Sequence, residues 1–161
     1  MYDPKGHIIE IATLIYGRFL SDSAGGNISL RHDGRIYVSP RYMGSRYRYS
    51  IRPEQISVLD EEQRVLEGPN VLSREVRMHL ASYAHFPEVG SVIHAHPRWL
   101  MVYAAAGRTM KPVLEYTTKF GDVECIPESP AHSQDLADHV VAVAARRRAQ
   151  LAKVALGVLL P

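Results

Sequence analysis

The sequence predicts an α/β fold, a layered sandwich with a central, mostly antiparallel or mixed sheet flanked by helices. Three observations carry this expectation. Apolar residues recur at helical spacing near both ends, over residues 8–19 and 133–150. Between them lie short alternating segments joined by turn residues, the pattern of strands that pair locally. From residue 73 onward, helical and strand-like segments alternate, which lays helices over a sheet. With 161 residues and no repeat, low-complexity tract or linker, residues 1–161 read as one domain able to bury a core.

Each element has a local reason. Ile8, Ile11, Ile15 and Phe19 share a face of a first amphipathic helix, with Ala12 and Tyr16 alongside. Residues 21–26, Ser-Asp-Ser-Ala-Gly-Gly, are a loop by composition. Residues 27–31 and 35–39 alternate apolar and polar around His32, Asp33 and Gly34, so a hairpin is expected. Residues 40–53, rich in Arg, Tyr, Ser and Gly, read as a surface loop. Residues 56–59 form a further strand that turns at 60–62 into Arg64, Val65 and Leu66. Ser73 is the expected N-cap of a helix to about Ala84, with Val76, Leu80 and Tyr83 facing the core. Val92 and Ile93 read as a buried strand leading to His94 and His96. Pro97 suits the first position of a helix to about Ala106. Two short strands are expected between 111 and 128, the second holding Cys125 and Ile126. Ser133 caps a helix to about Gln150, and residues 154–160 read as a buried strand.

Composition excludes several classes. Hydrophobic residues make 46% and charged residues 22%, as in ordinary globular chains. The net charge of +2 is dispersed, so no nucleic-acid footprint stands out. The densest basic run, Arg146 to Arg148, ends a predicted helix and complements its dipole. A single cysteine, Cys125, forms no internal disulfide framework and reads as a packed thiol. The N-terminus lacks the pattern of a signal peptide, and no apolar run approaches the ~20 residues of a membrane span. A cytoplasmic location and no membrane partner are therefore expected.

The chemistry centres on His94 and His96. Side chains at i and i+2 of a strand share a face, so two imidazoles could meet one ion. Neutral imidazole is the commonest ligand of zinc and related metals. Glu75 could bring a carboxylate to the same place. The alternative is two ordinary histidines, since an isolated H-x-H is a weak motif. His79, one turn past Glu75, reads as a satisfied structural histidine. His132 and His139 are expected at and on a helix surface, His132 being the better placed to substitute for a third ligand. The Gly25-Gly26 loop is either a turn or a place where backbone N–H groups approach a phosphate closely, since glycine has no Cβ.

Four stretches together resemble the class II aldolase/adducin family: residues 24–29 (Ala-Gly-Gly-Asn-Ile-Ser), 36–40 (Ile-Tyr-Val-Ser-Pro), 73–79 (Ser-Arg-Glu-Val-Arg-Met-His) and 94–97 (His-Ala-His-Pro). They occur in the family's order, and the resemblance runs from about residue 8 to the end. It implies that His94 and His96 are two of three zinc histidines. Glu75 would be the catalytic acid/base that also touches the metal. Gly26, Asn27, Gly44, Ser73 and Arg74 would cradle the substrate phosphate, and Tyr116 would assist proton transfer at the far side of the substrate. Zinc or another divalent metal is the implied cofactor. The implied assembly is a homotetramer, with Tyr42, Tyr47 and Tyr49 as interface candidates.

The sequence also departs from the family. Ser-Arg-Glu replaces Ser-Ser-Glu at 73–75, and Ser39-Pro40-Arg41-Tyr42-Met43-Gly44 replaces the usual cradle turn. Arg41 and Arg74 could bind phosphate or carboxylate by bidentate contacts. The third histidine would fall just past Pro161, so the domain is expected to be C-terminally incomplete and to hold metal weakly. The resemblance implies a zinc-dependent aldolase that cleaves a phosphorylated ketose similar to L-fuculose 1-phosphate through a metal-stabilised enediolate. The alternatives are an epimerase, dehydratase or decarboxylase on the same scaffold, or an assembly domain like the adducin head.

Overall fold

A computed structural model describes residues 2–151 and 155–161. Helix α1 (Pro4–Gly17) is capped by Asp3, whose carboxylate accepts from the Gly6 amide at 3.0 Å. It buries Ile8, Ala12 and Ile15. It stops before Phe19, which is left-handed and 86% exposed rather than part of the apolar face. Strands β1 (Asn27–His32) and β2 (Arg35–Val38) form the expected hairpin. Its two loop residues, Asp33 (φ 47°) and Gly34 (φ 68°), both adopt the left-handed conformation that a tight twisted hairpin needs.

Strands β3 (Ser57–Leu59) and β4 (Val65–Glu67) extend this sheet on one side, and β5 (Ser91–His94) pairs with β1 on the other. The order is β4-β3-β2-β1-β5, with every neighbour antiparallel. A separate parallel pair joins β6 (Glu124–Cys125) to β7 (Val158–Leu159). The fold is thus the layered α/β arrangement read from the sequence.

Period-two alternation divides the sheet into two faces. Ile28 and Leu30 join α1 and residues of the 40–53 segment in one core cluster. Ser29 and Arg31 point the other way, toward helix α2 (Val76–His85), where Ile36, Val38, Leu59, Leu80 and Tyr83 pack together. Asn27 lies on this second face and pairs with His94 across the β1–β5 ladder. That register carries the sheet's end to the start of α2.

Several elements depart from expectation. The 40–53 segment is a string of turns, yet Met43, Tyr49 and Ile51 are core residues. Tyr49 is therefore no interface residue within this face: its ring stacks on Tyr16, with centroids 5.2 Å apart, and burial raises its phenol pKa. Tyr42 is exposed and Tyr47 half-buried. Ser73 does not cap α2; Glu75 holds that position, and the Ser73 hydroxyl, two residues earlier, accepts from the Asn27 side-chain amide and from the Glu75 backbone N–H. Strand β5 lies at the sheet edge, so Ile93 is half exposed rather than buried.

Pro97 precedes α3 (Arg98–Ala105) as its cap rather than its first residue. Between 111 and 128 the described structure has the short helix α4 (Glu115–Thr118), one bridge from Met110 to Val123, and strand β6. Ser133 caps α5 (Gln134–Arg146), accepting from the Leu136 amide at 3.0 Å. Helix α6 (Arg148–Leu151) follows. Val154, expected in the last strand, lies outside the described residues; β7 covers only Val158 and Leu159. Helix α5 packs on α2, while Ile126, Leu136 and Val143 form a third core cluster.

Candidate active site

A cleft of about 160 Å³ opens where β1, β5 and the N-terminus of α2 meet. Glu75 enters from the cap of α2, His94 from the end of β5, and His96 from the turn beyond it. The Glu75 Oε2 atom is 4.0 Å from His94 Nδ1. The rings of His94 and His96 meet edge to face, with centroids 5.1 Å apart. Strand geometry accounts for His94 only, since β5 ends there. His96 is placed by its neighbours: its amide donates to the Ser21 hydroxyl at 3.0 Å, and its Nδ1 lies 3.0 Å from Asp22 Oδ1. The Asp22 contact leaves Nε2 as the free ring nitrogen.

The glycine loop is shaped by these same side chains. A Cβ on Gly25 would lie 2.5 Å from His96 Cε1, so the close approach of the imidazole requires glycine there. Gly26 has φ 103° and would clash with the Tyr49 hydroxyl. That hydroxyl donates to the Gly25 carbonyl at 2.7 Å and lies 2.6 Å from the Ser21 hydroxyl. Tyr49 thus anchors the loop from the core side.

Polar groups in the cleft are left without partners. Asn27 donates to the Ser73 hydroxyl at 3.1 Å, but its buried Oδ1 has no hydrogen bond. Arg41 stacks over the Tyr42 ring at 4.8 Å and leaves a buried Nε unpaired. Among the described residues neither Arg41 nor Arg74 forms an ion pair, and both line the cleft with Gly44 and Ser73. An unpaired buried donor costs about 1–3 kcal/mol, which an anionic ligand would relieve.

Burial pushes the His94 imidazole below its ordinary pKa; Glu75 opposes this, and the nearby His96 and His132 reinforce it. The neutral ring that results is the ligating form. The Nδ1 atoms of His94 and His132 are buried without hydrogen bonds. Imidazoles and a carboxylate with orphaned nitrogens are a donor set that fits a divalent ion. Among the described residues, no three of these groups already converge on one point.

A second cavity of about 350 Å³, more apolar in its lining, shares Glu75, His94 and His96 and runs toward Leu136 and Leu159.

Of the residues singled out in the sequence, Gly26, Asn27, Gly44, Ser73, Arg74, Glu75, His94 and His96 line this one cleft. Tyr116 does not: it is 68% exposed on α4 and absent from the cleft lining, because residues 111–118 run outside the core rather than along the sheet. Sequence reasoning passed over Asp22, which looked like loop composition, and Tyr49, which looked like surface. It placed His132 at a helix edge; its Nδ1 lies 2.8 Å from Glu75 Oε1.

Residues 6–156 match the family described as class II aldolase and adducin N-terminal domain, and the chain belongs to that family. It is 31% identical, over 82% of its length and 62% of the relative's, to a 5-deoxy-D-ribulose 1-phosphate aldolase of Bacillus thuringiensis. A methylthioribulose-1-phosphate dehydratase of Methylococcus capsulatus is 34% identical over 55% of the chain and 42% of the relative. An L-ribulose-5-phosphate 4-epimerase of Salmonella paratyphi B is 31% identical over 62% of the chain and 44% of the relative. The chain therefore spans less than two thirds of these relatives. A solved L-fuculose 1-phosphate aldolase shares the fold, with TM-score 0.76 and 24% identity over 86% of the chain and 66% of that structure.

Proposed function

We propose that this member of the class II aldolase and adducin family is a metal-dependent lyase that cleaves a phosphorylated ketose. The observation that carries the reading is the joint placement of Glu75, His94 and His96 in one cleft with Asn27, Ser73 and two unpaired arginines. His94, His96 and Glu75 would hold the ion, zinc being the metal that suits this donor set. When bound, the ion polarises a carbonyl oxygen and stabilises the charge of an enediolate.

The chain's own residues would do the rest. The backbone of Gly26 and the side chains of Asn27, Ser73, Arg41 and Arg74 bind the phosphate end and fix the register of the sugar. In retro-aldol cleavage of a ketose 1-phosphate, the C4 hydroxyl loses its proton and the C3–C4 bond breaks. The bonding pair moves toward the C2 carbonyl, an aldehyde leaves, and C3 takes a proton. Glu75 stands next to the metal ligands and would carry that proton, a role that typically contributes about 10²–10⁴-fold.

The epimerase and dehydratase readings keep the same residues and gain support from the arginines of the cradle and from the named relatives. Incubation of zinc-loaded protein with L-fuculose 1-phosphate and with 5-deoxyribulose 1-phosphate tests the first reading. Release of dihydroxyacetone phosphate and an aldehyde supports it. Turnover of ribulose 5-phosphate or methylthioribulose 1-phosphate without C–C cleavage would replace it by the second. A homo-oligomer is part of the proposal, and sedimentation at high concentration tests it.

A further inference from the structure

We propose that His132 is a ligating arm of this site, supplying one nitrogen to the divalent cation that His94, His96 and Glu75 would hold. The inference rests on the metal-dependent reading and adds to it a residue from a different part of the chain.

Position is the first observation. His132 immediately precedes Ser133, the cap of α5, far in sequence from β5 and α2. Yet it lines the same cleft, and its Nδ1 lies 2.8 Å from Glu75 Oε1. Glu75 thus has an imidazole beside each oxygen: His132 at Oε1 and His94 at Oε2.

The second observation is what these nitrogens lack. His132 Nδ1 and His94 Nδ1 are both buried, and neither makes an aligned hydrogen bond. The approach of His132 to the carboxylate is short, but not along the direction in which a ring N–H donates. A buried polar atom without a partner is costly. A cation that accepts the lone pairs of both rings relieves both orphans at once, whereas a hydrogen bond to Glu75 would show its proper alignment.

Backbone conformation is the third. His132 has φ 69°, a left-handed conformation that side chains with a Cβ adopt only at a cost. Helix α5 does not need a histidine there, since Ser133 does the capping. Glycine would serve that turn without strain. Strain held at a cleft is the kind that function preserves. The ring carried by this αL residue is the one that lies against Glu75.

The test uses the full chain stripped of metal with chelator and titrated with Co(II), with Zn(II) affinity read by competition. The proteins are wild type, His132→Gly, His132→Asn, and His85→Ala as a surface control. His132→Gly removes the ring and the backbone cost together. His132→Asn keeps a residue that tolerates the left-handed conformation but has no imidazole. Both are expected to bind at least about tenfold more weakly than wild type, as losses even one shell further out cost 10–100-fold. Their visible Co(II) absorption should change shape, since a ligand has changed. The metal-free His132→Gly protein should melt at a higher temperature than wild type, because strain is gone. Affinity falling while fold stability rises separates a ligand from a structural residue. Unchanged affinity and spectrum in either variant overturns the role of His132 and leaves the His94 and His96 site standing. A metal-free melting temperature that falls in both variants makes the residue structural and also overturns it. If wild type takes up no Co(II) while folded, the metal-dependent reading itself fails.

Discussion

His79 and His94 are two imidazoles on the same face of the sheet, in very different company. His79 is on α2, one turn past Glu75, and is fully buried. Its Nδ1 meets the Ser29 hydroxyl at 2.7 Å, and that hydroxyl meets the Tyr83 phenol at 2.8 Å. Apolar residues Val38, Leu59 and Leu80 close around this group, and burial holds the His79 pKa down to about 3. Burial likewise pushes the Tyr83 phenol up to about 12. His94 opposes Asn27 only two residues along the same strand. It faces a cleft with a carboxylate, two more imidazoles and unpaired guanidinium groups. The difference teaches that a buried histidine is not read by its residue type or its pKa alone. His79 is tied through Nδ1 into a His–Ser–Tyr chain of the core, its buried Nε2 alone lacking the partner expected of a fully satisfied histidine; His94 is held beside charged groups that point at open space.

The sharpest way to break this comparison is to remove the proposed proton carrier from the open side. Glu75→Gln is expected to lower kcat by about 10²–10⁴-fold. Its melting temperature should stay close to that of wild type, since the amide fills the same space. A variant that keeps full turnover would take Glu75 out of the reaction.

Removing the closed histidine should do the reverse. His79→Ala leaves a cavity and takes the imidazole partner from the Ser29 hydroxyl, which should cost about 2–4 kcal/mol of stability. Urea denaturation measures it. A loss below about 0.5 kcal/mol, within the range of a neutral surface substitution, would show that the chain of hydroxyls is unimportant.

Asp22 sharpens the open side. Burial is the largest single influence and raises its carboxyl pKa, but the Ala24 and Gly25 amides and His96 together outweigh it and hold the group below the usual carboxylate range, so it is charged beside His96 Nδ1. Asp22→Ala should weaken metal affinity about 10–100-fold through loss of ring orientation. Isothermal titration with Zn(II) reads the change. Unaltered affinity would leave the Asp22 contact without a role.

The pH dependence of stability should report the closed side. His79 has a folded pKa near 3, below the ordinary 6.5, so the unfolded chain binds the proton more readily. Its contribution is present above about pH 6.5 and is lost as pH falls toward 3. The slope should reach at most about 1.4 kcal/mol per pH unit from this one group. His79→Gln should flatten that part of the curve; an unchanged slope would assign the acid sensitivity to other residues.

The sequence made the outline of this site legible because its chemistry lies in short contiguous stretches. Residues 24–29, 73–79 and 94–97 could be read one by one and then recognised together. The hairpin was legible through Asp33 and Gly34, and α5 through its Ser133 cap. What could not be read depends on packing across distance. Tyr49 looks like a polar loop residue, and only the fold shows it beneath Gly26. Ser73 has the chemistry of a cap, but the helix starts two residues later and the hydroxyl also serves Asn27, 46 positions away. His132 is adjacent to a helix in sequence and to Glu75 only in space. Tyr116 shows the converse, a residue matched by local sequence whose segment runs outside the cleft of its own chain.

Metal content and thermal stability measured together on His94→Ala and His79→Ala test the contrast most directly. Both variants are reconstituted with Zn(II) beside wild type, analysed for bound metal after dialysis, and melted with and without the ion. With His132 as the further ligand proposed above, wild type is expected to retain about one ion per chain rather than to bind weakly. His94→Ala should lose the ion and keep the metal-free melting temperature, while His79→Ala should melt lower and keep the ion when folded. Retention of stoichiometric zinc by His94→Ala, or its loss from folded His79→Ala, would contradict the division between the open and the closed histidine.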